Sequence, residues 1–114
     1  MYLEITLSLE DNHPFMYISA PYEKLGSLFG EIKDEDRVNS FRKGIEQTMA
    51  GTWPERYPFD YTGGVTTVSI SPEISYYHEL GKESGEIPTL HLLYLFNIWE
   101  NFLRICSIIP PLKK

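Results

Sequence analysis

The residue types that most often carry out catalysis are few in this sequence and far apart. It holds three histidines, His13, His78 and His91, and one cysteine, Cys106. An imidazole can act as a general base, but neither His13 nor His78 has a nucleophile at a recognisable spacing. His91 falls on the apolar side of a predicted helix, where we expect it to be partly buried and hydrogen-bonded. Cys106 follows the same side and is typical of a small core residue.

The patterns of metal and phosphate sites are missing from the sequence as well. Three scattered histidines and one cysteine do not have the spacing of a zinc site. The pair Gly63-Gly64 lacks the lysine and hydroxyl residue that a phosphate-binding loop requires. We therefore expect no catalytic residues, no cofactor and no metal, and we predict that the protein is not an enzyme. A small enzyme or ligand-binding module would instead need a polar pocket around Tyr76, His78 and Glu79.

Aromatic residues are concentrated in one segment. The chain has 2 tryptophans, 8 tyrosines and 6 phenylalanines, and residues 52–64 hold Trp53, Tyr57, Phe59 and Tyr61. Large rigid rings bury much area at a low cost in conformational entropy, which is typical of the centres of protein interfaces. The same rings also suit a cap over a hydrophobic core beneath the loop, and the sequence leaves both interpretations open.

The carboxylates are grouped too. With 10 basic and 16 acidic residues the chain has a net charge of −6, which attracts a basic protein surface and orients it on approach. Charge runs are also common on solvated faces that bind nothing. One group is Glu31, Asp34, Glu35 and Asp36, and the other is Glu79, Glu83 and Glu86. The residues that we predict to bind a partner are Asp34, Glu35, Asp36, Trp53, Tyr57, Tyr61, Glu79 and Glu83.

Two strands and two helices are predicted to position the first half of these residues. Apolar and polar residues alternate over 3–10, which is the pattern of a half-buried strand. Turn formers at 11–14 precede a second strand at 15–19, so we expect a hairpin. A short helix follows, and Asp34, Glu35 and Asp36 then begin a stronger helix that stops at Gly51. The apolar positions of the two helices are Leu25, Leu28, Phe29 and Ile32, and Val38, Phe41, Ile45 and Met49.

The second half is predicted to hold two more strands and the longest helix. Residues 88–108 form this helix, which buries Trp99 and Leu103 and turns polar residues such as Glu100 to the other side. Its first two turns are apolar nearly all round, because Leu90 and Leu93 fall on the polar side. Before it, we predict an irregular loop at 52–64, strands at 65–71 and 74–79, and a polar loop at 81–85.

This order of elements predicts the fold class. Strands come in pairs, with helices between and after the pairs, which favours an α+β fold with a mainly antiparallel sheet of about four strands. The long C-terminal helix and two shorter helices are expected to pack on that sheet. A chain of 114 residues fits one domain, so we treat 1–114 as a single domain.

Composition excludes several classes of function. The chain is 42% hydrophobic and 23% charged, which is typical of a soluble globular protein and not of a disordered one. A negative surface repels phosphate backbones, so we expect no direct binding to nucleic acid. Polar residues interrupt the apolar stretch at 90–109, so we expect no membrane span. A single cysteine and the lack of a signal-peptide pattern predict a cytoplasmic protein.

Over the whole chain, this profile of size, acidity, aromatic loop and α+β pattern resembles the immunity proteins of bacterial polymorphic toxin systems, such as those of contact-dependent growth inhibition. The resemblance implies a small protein that neutralises a cognate toxin, often a basic nuclease domain, by covering its active site. Carboxylates would then occupy the places of substrate phosphates, and aromatic side chains would anchor the contact.

A secretion chaperone is the alternative interpretation. Such chaperones are also small, acidic and α+β, and they dimerise through an apolar helix, for which Leu90, Leu93 and Tyr94 are candidates. The two readings differ in stoichiometry, because a chaperone is a dimer that holds an unfolded segment. The partner's identity, and the choice between monomer and homodimer, stay open at this level.

Overall fold

The computed structural model describes residues 3–54, 58–80 and 84–111. Within these ranges the chain forms six strands and three helices. All strand pairs are antiparallel. In chain order the elements are β1 (Ile5–Glu10), β2 (His13–Ile18), α1 (Glu23–Gly30), α2 (Glu35–Ala50), β3 (Phe59–Gly63), β4 (Thr66–Ile70), β5 (Ile74–Glu79), β6 (Ser84–Pro88) and α3 (Thr89–Ile105).

The predicted N-terminal hairpin is present and forms a two-stranded sheet of its own. Its turn consists of Asp11 and Asn12, whose φ angles are 50° and 66°. Asp and Asn tolerate this left-handed region better than most residues, and two such residues in succession match the twist of the flanking strands. The Met16 and Ile18 side chains of β2 are buried against the core, while Phe15 and Tyr17 point to the other side.

The other four strands form one antiparallel sheet in the order β3-β4-β5-β6. Alternate residues face the helices, and Val68, Tyr77 and Ile87 are buried there. α2 contacts β3, α1 crosses β3, β4 and β5, and α3 contacts β5 and β6. The opposite face of the sheet is open, with Tyr76 and His78 exposed on it. An antiparallel sheet covered on one face only produces this alternation.

Both ends of α2 are set by local chemistry. At its start, the Asp34 carboxylate accepts a hydrogen bond from the Arg37 backbone N–H at 2.8 Å, and Glu35 and Asp36 lie in the positive first turn. At its end, Gly51 takes φ 76°, a conformation that costs glycine little. Between these caps, the predicted stripe packs inward, with Val38, Phe41 and Ile45 buried and Met49 half-buried.

The C-terminal helix α3 holds the centre of the core. Trp99 is fully buried, and its Nε1–H donates to the Ile32 carbonyl at 2.7 Å, which ties α3 to the chain between α1 and α2. Leu103 is buried as predicted. The helix spans Thr89–Ile105 and is therefore shorter at both ends than the predicted 88–108. No helix in the described part of the chain is long and apolar enough to cross a bilayer.

The α+β class, the antiparallel four-stranded sheet and the C-terminal helix are confirmed, but the membership of the sheet differs from the prediction. The loop predicted at 52–64 contains β3, and Ser84–Pro88 forms β6 where part of a polar loop was predicted. Residues 81–83 of that loop lie outside the described residues. β1 and β2 do not join the larger sheet. Pairing with a neighbouring strand stabilises β3 and β6. The local amino-acid composition does not reveal this stabilisation, because it comes from residues elsewhere in the chain.

Two side chains of α3 lie on the side opposite to the one predicted. Glu100, which was expected on the polar face, is buried and accepts hydrogen bonds from Arg42 of α2 and Arg104 of α3. Ile105, which was expected on the apolar face, is 80% exposed at the last turn of the helix. The ion pairs of Glu100 with Arg42 and Arg104 thus accompany the burial of this carboxylate between α2 and α3.

Candidate functional site

The candidate catalytic side chains are dispersed. His13 lies in β2, His78 in β5 and His91 in α3, and all three are exposed. The expectation that His91 is partly buried was wrong: its ring lies at the edge of the apolar arc and stacks on Tyr94, with ring centroids 6.4 Å apart. Across 3–54, 58–80 and 84–111, no three His, Cys, Asp or Glu side chains lie close enough to hold a metal ion.

The polar pocket that a small enzyme would need at Tyr76, His78 and Glu79 is not assembled from these three side chains. Tyr76 and His78 occupy exposed positions of β5 on the open face of the sheet. Glu79 alternates to the other face, where it pairs with Thr66 of β4. Because neighbouring residues of a strand point in opposite directions, this carboxylate lies across the sheet from the His78 imidazole.

The first predicted acidic group lies at the junction of α1 and α2. Asp34 caps α2, and its other carboxylate oxygen lies 3.3 Å from Arg37 Nε. The Arg37 guanidinium also donates to the Glu31 carbonyl at 3.1 Å. Arg37 therefore neutralises part of the predicted charge, while Glu35 and Asp36 stay exposed and form no ion pair with any described side chain.

The predicted aromatic residues form a cluster that covers the core at the edge strand β3. The ring centroids of Trp53 and Phe59 are 5.0 Å apart, and those of Tyr61 and Phe41 are 5.4 Å apart. The Phe59 ring lies against α2 at Gly44, where a Cβ atom would collide with it. Burial raises the pKa of Tyr61, and the nearby Arg37 charge acts in the opposite direction. The described aromatic residues of this segment thus favour the interpretation as a core cap.

The structure brings only part of the predicted partner-binding set together. Tyr61 lies within the electrostatic reach of Asp34 and Arg37. Trp53 follows the other end of α2, and a helix of 16 residues separates it from Asp34 by about 24 Å. Glu79 is on β5, beyond β4 from this junction. The remaining two predicted residues, Tyr57 and Glu83, lie outside the described residues.

A groove that the sequence did not predict lies beside this acidic junction. It has a volume of about 570 Å³ and runs between the N-terminal hairpin, α1 and the β3–β4 turn. We call it the hairpin groove. It is lined by Phe15, Met16, Tyr17, Ile18, Glu23, Gly26, Ser27, Gly30, Glu31, Lys33, Gly64 and Val65.

The walls of the hairpin groove are apolar and exposed. On one side the rings of Phe15 and Tyr17 stack with centroids 6.2 Å apart. Phe15 is 37% exposed and Tyr17 is 53% exposed. The Tyr17 hydroxyl donates to Glu10 at 3.0 Å, and this hydrogen bond raises the pKa of Tyr17. On the other side Val65 is 54% exposed. Three large apolar side chains thus face a single concave surface, which is typical of a binding site.

Small residues of α1 form the floor of the hairpin groove. At Gly26 the helix approaches β2 so closely that a Cβ atom would lie 2.5 Å from the Met16 carbonyl oxygen. At Gly30 a Cβ atom would meet nothing within 4 Å, so this position opens onto free space. The exposed residues Glu23, at the start of α1, and Glu31, just after its end, also line the groove, and Lys33 lies two residues beyond Glu31.

Two features of the sequence contribute to this groove, but neither predicts it without the tertiary structure. Phe15 and Tyr17 alternate with buried residues and therefore point outward from a strand that was predicted. Gly26 and Gly30 are four positions apart and therefore lie on one face of α1. The third wall, at Val65, comes from a distant turn whose position no local pattern reveals.

A second, purely apolar depression of about 200 Å³ lies between β1 and α3. Leu3 and Ile5 line it from the N-terminal side, and Tyr94 and Ile98 line it from α3. Tyr94 and the neighbouring Leu90 are exposed, while Leu93 packs against the core. Of the three residues predicted for a dimer contact, Leu90 and Tyr94 are therefore accessible and Leu93 is partly buried.

Comparisons with known protein families, with curated proteins and with solved structures find no match to this chain.

Proposed function

We propose that this protein is an acidic protein-binding module that neutralises a cognate toxin, a basic nuclease domain, in the manner of an immunity protein. The observation that supports it is the hairpin groove, which combines exposed aromatic walls with a carboxylate at each end. Aromatic side chains that are held by a strand lose little entropy on binding, and flanking charges orient the partner.

The acidic junction beside the groove extends this surface. Glu35 and Asp36 stay exposed at the start of α2, next to Glu31 at the end of α1. With a net charge of −6 on 114 residues, the molecule attracts a basic surface from beyond contact distance. Carboxylates on this surface are suited to the cationic pocket in which a nuclease binds substrate phosphates. The protein then acts by occlusion and needs no chemistry of its own, and we place it in the cytoplasm with its partner.

The proposal is tested by co-expression in a bacterial host. The probe is the C-terminal domain of the large secreted protein that we expect the adjacent gene to encode. We expect this domain to arrest growth when it is expressed alone, and co-expression of the present protein to restore growth. A combined variant with Phe15→Ala and Tyr17→Ala, which removes the aromatic wall, should lose this protection.

Two controls keep this test interpretable. Tyr76→Ala removes an aromatic ring from the open face of the sheet, far from the groove, and should still protect. Thermal unfolding must show that the groove variant is folded. Growth arrest that persists in the presence of the unaltered protein contradicts the proposed function.

The secretion chaperone remains a second candidate, and one observation favours it. The apolar depression beside α3, with Tyr94 54% exposed, offers an uncharged surface to a second copy of the chain. A chaperone of this kind is a dimer that Tyr94→Glu dissociates, whereas an immunity protein binds a folded domain without such a requirement. Light scattering of both forms distinguishes the two functions.

A further inference from the structure

We propose that the hairpin groove binds an extended basic segment of the partner, in which two basic residues stand four positions apart. This inference rests on the proposed function in one respect, namely that the partner is basic. It goes further because it assigns the site, the conformation of the bound segment and the spacing of its charges.

The spacing follows from the positions of the two acidic residues along the chain of α1. Glu23 is the first residue of α1 and Glu31 follows its last residue, so their backbone positions are about 12 Å apart along the helix axis. An extended chain advances about 3.3 Å per residue, so four residues span about 13 Å. Residues four apart in an extended chain also point to the same side. Two basic side chains at this spacing therefore reach both carboxylates at once.

The walls of the groove suit the rest of such a segment. The stacked rings of Phe15 and Tyr17 offer an apolar surface to the aliphatic stems of arginine or lysine, and their faces attract the cationic heads. The glycine floor leaves room for a backbone, because a Cβ atom at Gly30 would meet nothing within 4 Å. The volume of about 570 Å³ accommodates several residues of an extended chain.

The two ends of the groove differ in charge. Lys33 lines the end near Glu31, whereas the lining residues at the other end include the Glu23 carboxylate and no basic side chain. The basic residue that faces Glu23 is therefore held more strongly than the one that faces Glu31. This asymmetry predicts that Glu23→Gln weakens binding more than Glu31→Gln does.

Labelled synthetic peptides test the inference without the toxin. One peptide carries two arginines four positions apart in a background of serine and valine, and its isomer of the same composition carries them three positions apart, on opposite sides of an extended chain. Fluorescence anisotropy in 50 mM salt should show at least fivefold tighter binding of the first peptide. Glu23→Gln should remove most of this preference, and Glu86→Gln, on the open face of the sheet, should leave it unchanged. Equal binding of the two peptides overturns the inference.

A filled groove provides a second test in which loss of folding is not an explanation. Gly30→Met places a side chain in open space and replaces glycine with a better helix former. This variant should lose peptide binding, while Gly30→Ala, which makes the same backbone change with a small side chain, should retain it. Binding of the four-spaced peptide to Gly30→Met with unchanged affinity overturns the site.

The two proposals fail in distinguishable ways. If the peptides do not bind but the protein still restores growth in the presence of the toxin domain, the groove is not the site and the proposed function stands. If the four-spaced peptide binds selectively but growth is not restored, the assignment of the groove stands and the toxin is the wrong partner.

Discussion

At the scale of single residues, Glu100 is the only charged residue that is buried among those the structure describes. Its side chain is 9% exposed and lies between two arginines, one from each of the two longest helices. Arg42 Nε donates to it at 2.9 Å and Arg104 Nε at 3.1 Å. Burial raises the pKa of Glu100, but the hydrogen bonds and charges of Arg104 and Arg42 outweigh burial and lower the pKa below its ordinary value of 4.5.

The first prediction concerns the stability that this carboxylate provides. Glu100→Gln keeps the shape of the side chain but leaves two guanidinium groups without their counterion. We expect the free energy of unfolding to fall by about 1–3 kcal/mol at pH 7, at the low end of the values for buried pairs because Arg42 is partly exposed. Urea denaturation measures this loss.

The pH dependence of the stability is the control for this prediction. A lowered pKa means that Glu100 stabilises the fold above pH 4.5 and that this contribution disappears as the pH falls through the lowered value. The difference in stability between the unaltered protein and Glu100→Gln should therefore shrink below pH 4.5. Glu46→Gln, which removes an exposed partner of Arg42, should cost under about 1 kcal/mol. A difference that grows in acid would contradict this account of the ion pairs.

A second prediction separates the two tryptophans. Trp99 is fully buried and hydrogen-bonded, so Trp99→Ala should lower the free energy of unfolding by about 3–5 kcal/mol. Trp53 is half-buried against Phe59, so Trp53→Ala should cost about 1–2 kcal/mol, as expected for part of a core cap. If Trp53→Ala leaves stability unchanged but raises the rate of partner dissociation, the aromatic segment is an interface, as the sequence also allowed.

At the scale of elements, the cap of α2 has two functions that substitutions can separate. Asp34 accepts a hydrogen bond from the helix and also adds to the surface charge. Asp34→Ala removes both and should cost about 1 kcal/mol of stability, whereas Asp34→Ser keeps a capping oxygen and should cost a few tenths. If the affinity for the partner depends on the charge of Asp34, Asp34→Ala and Asp34→Ser should lower this affinity equally, because both remove the carboxylate. Chemical denaturation and binding measured on the same samples decide this.

Elements with strong local patterns were predictable from sequence. The stripe from Val38 to Met49 and the stop at Gly51 each reflect a local preference, and each is confirmed. The alternation over 3–10 correctly predicted a strand, but its half-buried pattern is not observed, because Leu7 and Leu9 are exposed. β3 was missed because Pro58 and Gly63-Gly64 bound a strand of only five residues, and its stability comes from pairing with β4. The strand propensity of a segment carries no information about which strand will pair with it.

Contacts between distant elements were not predictable. The burial of Glu100 depends on Arg42, which is 58 positions away in the chain. The hairpin groove likewise needs β2, α1 and the turn at Gly64-Val65 to meet. The acidic residues next to that groove were predictable, because charge density is a property of composition. Two aromatic residues that were predicted as anchors, Trp53 and Tyr61, do not line this groove, because the side chains that face a cavity are determined by packing.

At the scale of the whole molecule, the proposed docking of a basic partner depends on where the negative charge lies. The six excess negative charges attract any basic protein at long range, but only those near the contact affect the rate of docking strongly. Two sets of carboxylates allow this distinction. One lies at the start of α2 beside the hairpin groove, and the other, formed by Glu46, Glu73 and Glu86, is dispersed over the rest of the surface.

The most direct test of the central claim is the association rate of the purified, inactivated toxin domain at 50 mM and 300 mM salt, measured by stopped flow. Screening acts over about 8 Å at physiological salt, so the rate for the unaltered protein should fall about tenfold or more across this range. The triple variant Asp34→Asn, Glu35→Gln, Asp36→Asn should associate more slowly and lose much of this salt dependence. The variant Glu46→Gln, Glu73→Gln, Glu86→Gln, with the same net charge, should behave like the unaltered protein. Association that is independent of salt, or slowed equally in both variants, would contradict an acidic docking surface at the start of α2.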